Sequence, residues 1–266
     1  MASRKEQKEA ARQRRVAEEQ ERASRSRRDR RLRMLGGTVI GALVIIGVAI
    51  AVSSGGGSSH AAPAPQSSSA KQAATSVNTL LAGIPQSGNR LGSPNAKVTL
   101  TEYGDLVCPI CKDFALGTEN QLIANDVRHG KVKIVYQPLE TASQTANNSM
   151  FVPSQTAALA AGEQKRGWNY IELFYHEQGD ETASYVTDQY LSGLAAQIPG
   201  LSVAKWSSDR QSSALTNQVT TNEQNAASKG FDSTPTLVVS GPVSQAKPIV
   251  GAADYGTVES AIKSVS

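Results

Sequence analysis

The sequence holds only two cysteines in 266 residues, and they stand two residues apart in Cys108-Pro109-Ile110-Cys111. An alternating run, Val98, Leu100 and Glu102, precedes them, and a helically spaced set, Phe114, Leu116 and Leu122, follows. A strand that ends at the first cysteine puts Cys108 at a helix N-terminus, where unpaired N–H groups and the helix dipole favour a thiolate. Pro109 then occupies the first helical position, whose N–H would be unpaired anyway. Cys111, one turn on, can attack a mixed disulfide formed at Cys108. These features are what a redox dithiol requires.

Other uses of the pair fit less well. A structural zinc site needs four ligands, and the three histidines, His60, His129 and His176, lack ligand spacing, so no metal is expected. A purely structural disulfide between residues three apart closes too small a loop to constrain the unfolded chain much. No Gly-rich phosphate loop or Ser/His/Asp arrangement accompanies the pair. The expected redox group is the Cys108–Cys111 disulfide itself, with no separate cofactor.

The net charge of +4 conceals an asymmetry. Residues 1–33 carry thirteen Lys/Arg against six Asp/Glu, and the remainder carries fourteen against seventeen. The body of the protein is thus mildly acidic, which argues against a nucleic-acid-binding surface. After the basic arm come nineteen uncharged residues, 34–52. As a helix they would span about 28 Å, close to the ~30 Å hydrocarbon core of a bilayer. The expectation is a single transmembrane anchor with the arm in the cytoplasm and everything after Val52 outside, because basic flanks stay inside. Ala49-Ile50-Ala51 resembles a small-residue cleavage site, but the apolar run exceeds the usual signal-peptide core, so retention is expected. Residues 53–77, rich in Ser, Gly, Ala and Pro, read as a flexible linker that cannot bury a core.

The folded part is expected over 78–266, an α/β unit. Strands are expected at 79–84, 96–103 and 132–137, the last two separated by the helix that follows the dithiol. From 144 to 229 the pattern is helical, with apolar sets around Ala157, Trp168, Tyr190 and a long last helix that Ser202 would cap. Both tryptophans, Trp168 and Trp206, read as core. Strands resume at 236–240 and near Ile249-Val250, and a helix from about Tyr255 ends the chain. A helical block is thus inserted into an α/β unit.

The Cys-Pro-Ile-Cys junction, a charged strand residue six positions before it, the helical insertion and a late Phe231-Asp232-Ser233-Thr234-Pro235-Thr236 before a strand together resemble the DsbA-like thiol:disulfide oxidoreductases of the thioredoxin superfamily. The resemblance covers about 79–266 and extends in particular to the membrane-anchored envelope members found in actinobacteria. It implies a thioredoxin-like fold with an inserted all-helical subdomain, in addition to the N-terminal transmembrane helix. Cys108 would be the exposed nucleophile and Cys111 the buried resolving thiol. Pro235 would be cis against the dithiol, and Pro109, Ile110, Thr234 and Pro235 would meet the substrate peptide. Glu102 stands where the family keeps a buried carboxylate that relays the Cys111 proton. The strand pattern alone reads it as a half-exposed carboxylate, and Lys133 on the neighbouring strand is a candidate partner.

The archetype has a histidine where this chain has Ile110, so a less extreme thiolate and a less oxidising disulfide are expected. Implied partners are reduced or unfolded secreted proteins and a membrane redox partner resembling vitamin K epoxide reductase. The leading expectation is an envelope-facing oxidase of protein thiols. The same chemistry run as a reductase or isomerase is the alternative, and a non-catalytic envelope binding module of this fold is a third.

Overall fold

A computed structural model describes residues 68–143 and 150–266. The basic arm, the expected anchor at 34–52, residues 53–67 and the start of the expected helical block at 144–149 lie outside these residues. Among the described residues no helix is long and apolar enough to cross a membrane.

The described chain opens with a helix, α1 (Ser68–Leu81), which corrects two sequence expectations: the flexible linker does not extend through 68–77, and no strand forms at 79–84. Ala70, Ala73, Val77 and Leu81 recur at helical spacing and are buried, although the surrounding Ser, Gln and Ala give the segment the composition of a tether. Two short strands follow, β1 (Gln86–Ser87) and β2 (Arg90–Leu91), then β3 (Val98–Gly104). The dithiol helix starts as α2 (Pro109–Phe114). It continues through a π-helical turn (Ala115–Glu119), a short α-helical piece α3 (Asn120–Leu122) and a second π-helical turn (Ile123–Val127). Such turns insert an extra residue and are frequent at functional sites.

Among the described residues, five helices follow β4 (Val132–Pro138): α4 (Phe151–Gly162), α5 (Gly167–His176), α6 (Asp188–Ala196), α7 (Val203–Asp209) and α8 (Ser213–Ser228). The long last helix expected from Ser202 is two helices instead. Ser202 and Ser212 each cap one, accepting the N–H of Lys205 and Leu215. The chain closes with β5 (Thr236–Ser240), β6 (Ile249–Val250) and α9 (Tyr255–Val265). The sheet order is β1-β2-β4-β3-β5-β6, and among the described residues only β3 and β4 pair in parallel.

Alternation along the strands decides what lies under the dithiol helix. In β3, Val98, Leu100 and Glu102 share a face, and the register sets Leu100 beside Ile134 and Val239, and Glu102 beside Tyr136 and Leu237. This face joins the main core, with Phe114, Leu122, Ile123 and Val127 of the dithiol helix and Val258 and Ile262 of α9 buried against it. Burying each such side chain stabilises by about 1.5–3 kcal/mol relative to exposure. Trp168 and Trp206 are fully buried in the same cluster, their indole N–H groups donating to the Asn89 and Ala157 carbonyls. The opposite face is covered more thinly, by Tyr103, Leu139 and Val238 with Ala226 and Phe231.

The end of α4 and the start of α5 are pressed onto the β1–β2 turn. A Cβ at Gly162 or at Gly167 would each come within 2.7 Å of the Gly88 carbonyl oxygen. Because the obstacle is backbone, Gly162→Ala is expected to destabilise the domain by about 1–3 kcal/mol, read as a lowered urea midpoint at unchanged slope.

Candidate active site

The dithiol sits where four segments converge. Cys108 is the N-cap residue of α2 in extended conformation (φ −70°, ψ 122°), with Pro109 at the first helical position. Asp105, fully buried just before it, accepts hydrogen bonds from the Val107, Thr141 and Ser143 backbone N–H groups, each at 3.0 Å, and from the Ser143 hydroxyl at 2.8 Å. One carboxylate thus ties the dithiol loop to the loop after β4. Thr141 in turn shares a hydroxyl hydrogen bond with Thr234, and the Thr234–Pro235 peptide bond is cis. From the helical block, Gln178 donates to the carbonyls of Leu106 (2.8 Å) and Cys108 (3.1 Å).

Both cysteines are free thiols. Cys108 is 6% exposed and Cys111 is fully buried. The expected exposed nucleophile therefore lies just beneath the surface, flanked by Pro109 and Ile110, which are exposed. The Cys108 thiol donates to the Thr234 carbonyl at 3.7 Å, so the dithiol and the cis-proline loop are in contact across 126 residues of sequence. Pro235 itself is buried and Thr234 half-buried.

The two sulfurs differ in acidity. The Cys108 thiol is lowered to about 6: the hydrogen bond from Cys111 is the largest cause, burial opposes it, and Thr234 and the N–H groups of Cys111 and Ile110 add to it. Each of the N–H groups at the helix N-terminus is thus a smaller cause than the neighbouring thiol. The Cys111 thiol is pushed well above its ordinary range by burial, by the hydrogen bond it gives to Cys108, and by the charges of Cys108 and Glu102. At neutral pH the outer sulfur is ionised and the inner one keeps its proton.

Glu102 is fully buried, not half-exposed, because its face of β3 is the one covered by the dithiol helix and the helical block. Burial raises its carboxyl to about 7, with a hydrogen bond from Glu119 pulling it back down and the Cys108 charge pushing it up. Lys133 does not pair with it. Its register partner is Thr99, on the other face, and its ammonium donates to the Pro94 and Ala96 carbonyls. Asp105, Thr141, Glu119, Glu172 and Gln178 went unread in the sequence. Glu172 did leave a trace there, a lone acid inside the apolar run Trp168 to Tyr175. The arrangement offers a nucleophilic thiolate, a protonated resolving thiol, and a carboxyl beneath them able to hold one proton.

A family model described as thioredoxin matches residues 86–263. Disulfide bond formation protein D of Bacillus subtilis is 26% identical over 180 residues, covering 65% of this chain and 74% of that protein. A probable disulfide bond formation protein D of Bacillus anthracis is 22% identical over 158 residues, covering 57% and 69%. Among solved structures, oxidised BdbD from Bacillus subtilis superposes with a TM-score of 0.58 at 21% identity, covering 68% of this chain and 97% of that one. Pseudomonas aeruginosa DsbA2 superposes with a TM-score of 0.53 at 23% identity, covering 68% and 95%. The structural likenesses establish a thioredoxin-like α/β fold carrying additional helices.

The ranking of contacts on the Cys108 thiolate can be measured. A hydrogen bond to a charged group contributes about 1.5–3 kcal/mol, and about 1.4 kcal/mol corresponds to one pKa unit. Cys111→Ala is therefore expected to raise the midpoint of Cys108 alkylation against pH by about one to two units. Thr234→Val is expected to raise it by less, since the Cys111 and backbone donors remain. Equal midpoints in all three proteins would refute the assignment.

Proposed function

The chain belongs to the thioredoxin family and is a DsbA-like thiol:disulfide oxidoreductase, and from this premise we propose that it oxidises the thiols of secreted proteins on the outer side of a membrane. Cys108 is the sulfur attacked and Cys111 the sulfur that leaves and later returns. A substrate thiolate attacks Cys108 of the disulfide form, the Cys108–Cys111 bond breaks, and a mixed disulfide forms. A second substrate thiolate then attacks the substrate sulfur, releasing the oxidised substrate and the Cys108 thiolate. The substrate has lost two electrons and the dithiol has gained them.

The observation that carries the oxidising direction is the ionised Cys108, lowered to about 6. A thiolate stabilised in the dithiol form favours that form over the disulfide, which makes the disulfide an oxidant. Pro109, Ile110 and the half-buried Thr234, next to the buried Pro235, line the surface on which an extended substrate segment would lie, and Glu102 holds the proton that Cys111 exchanges.

Regeneration needs a membrane disulfide carrier, for which a partner resembling vitamin K epoxide reductase is proposed. The location rests on the sequence: a basic arm at 1–33, nineteen uncharged residues at 34–52, then a Ser/Gly/Pro-rich stretch. Anchoring would hold enzyme and carrier in two dimensions and raise their effective concentration. The actinobacterial envelope type fits this arrangement.

The test is the reduction potential of the purified full-length chain in glutathione buffers, together with oxidation of a reduced, unfolded test protein. A potential between about −270 mV, that of thioredoxin, and about −120 mV, that of the DsbA archetype, is expected, since the apolar side chain of Ile110 gives the thiolate no hydrogen bond beyond the backbone ones. Cys108→Ser is expected to reduce oxidation to the uncatalysed rate, and Cys111→Ser to accumulate mixed disulfides. A potential at or below that of thioredoxin would favour the reductase direction. Oxidation unaffected by Cys108→Ser would refute the enzymatic role.

A further inference from the structure

Beneath the dithiol three glutamates from three elements meet with no exposure to solvent: Glu102 on β3, Glu119 on the first π-helical turn and Glu172 on α5. None of their six carboxyl oxygens receives a hydrogen bond from an amide, a hydroxyl or a cation. Among the described residues no lysine, arginine or histidine forms an ion pair with any of the three. The groups that face them are Cys108 and Cys111 from the dithiol helix, Tyr136 from β4 and Tyr175 from α5, with Gln155 of α4 donating to the Tyr136 hydroxyl at 3.4 Å. The fit is close: a Cβ at Gly104 would lie 2.7 Å from the Tyr136 ring and 3.2 Å from Glu102 Oε1.

Buried carboxylates without donors or counter-charges are costly, and the cost falls when a carboxyl stays protonated and bonds to another. Two carboxylates cannot bond to each other, but a carboxylic acid can donate to a carboxylate. Glu119 is the acid suited to donate. Burial and the charges of Glu102 and Glu172 push it well above the usual carboxyl range, whereas the bond it gives Glu102 pulls that group down. Glu172, raised to about 8 by burial and by the Glu102 charge, stands as the third member.

We propose that Glu119 is a positioning residue of the dithiol reaction: it keeps its own proton and donates it as a hydrogen bond to Glu102, so that Glu102 can receive and return the Cys111 proton inside the protein. This rests on the dithiol reading above. When a substrate thiolate attacks Cys108 and the disulfide breaks, the bonding pair leaves on Cys111. The Glu102 proton passes to that sulfur, and the carboxylate that remains is held by Glu119. On reoxidation by a partner disulfide, Cys108 attacks the partner and becomes a mixed disulfide. Cys111 gives its proton back to Glu102 and attacks Cys108, and the partner leaves as a dithiol. Electrons pass to the partner, and Cys111 meets no water in either half.

The experiment treats the reduced full-length chain with Ellman's reagent across a range of pH. Attack by Cys108 releases a first coloured thiolate, and attack by Cys111 on the mixed disulfide releases a second. The second release is expected to rise through about pH 7 in the wild type, as Glu102 becomes available as a base. In Glu119→Leu the rise is expected to move up by about one pH unit, so that release at pH 7 is about fivefold slower. In Glu119→Gln, whose amide still donates, the rise is expected to stay near that of the wild type, and in Glu102→Gln to disappear. A rise at the wild-type pH in Glu119→Leu, or uniform slowing at all pH, would overturn the proposal while leaving the dithiol function intact. A wild type that releases no first thiolate would overturn both. Should Glu119→Leu not fold, the wild type still decides: a protonated-carboxyl C=O band must change in its reduced-minus-oxidised infrared difference spectrum, and a flat carboxyl region refutes the relay.

Discussion

The hydrogen bond from the buried Cys111 thiol to Cys108 joins the chemistry of this protein to its architecture. It exists because one sulfur is sealed and the other lies at the lip of the same pocket. Burial keeps the proton on Cys111, since an ionised sulfur there would stand in a region of low polarity beside further negative charge. A thiol that keeps its proton is a donor, and Cys108 accepts from it. The acidity of the outer sulfur is thus largely a consequence of how completely the inner one is enclosed.

That enclosure is assembled from parts distant in sequence. The dithiol helix supplies both sulfurs, β5 and its preceding loop supply Thr234 and Pro235, and the loop after β4 supplies Thr141. Asp105 draws this last loop in by accepting the Thr141 and Ser143 backbone N–H groups and the Ser143 hydroxyl. The helical block does more than cover the sheet. Gln178 pins the carbonyls of Leu106 and Cys108, and α5 brings Glu172 and Tyr175 over the face of β3 that carries Glu102. An unadorned sheet and helix would leave that face wetter and its carboxyls nearer their ordinary range.

The same burial that tunes the site works against stability. Groups raised to about 7 and about 8 keep protons that the unfolded chain releases above about 4.5. Between these values the folded state binds more protons than the unfolded one. The contribution of Glu102 and Glu172 is therefore fully present below about 4.5 and is lost as pH rises through their folded values. The extensive apolar cluster around Trp168, Trp206, Phe114 and Phe174 offsets such local costs.

Much of the site could be read from one line of residues. The spacing of Cys108 and Cys111, Pro109 behind the first of them, the strand-to-helix change in periodicity and the late Thr234-Pro235 are local patterns, and local patterns survive in a sequence. By contrast α1 was hidden, because Ala and Ser at helical spacing bury a face without raising the apolar content that marks a core element. The long helix expected after Ser202 was broken by a turn whose stop signal is only Ser212. The sequence by itself determined which atoms exchange electrons, the order of strand, dithiol, helix and proline loop, and the asymmetry of charge along the chain. Tertiary structure alone decided which sulfur is sealed, that Glu102 lies beneath it with Glu119 and Glu172 instead of Lys133, and that a neighbouring thiol is the largest single cause of the Cys108 ionisation. These are matters of enclosure and proximity across a hundred or more residues, and the free energy of a charge depends on everything packed around it.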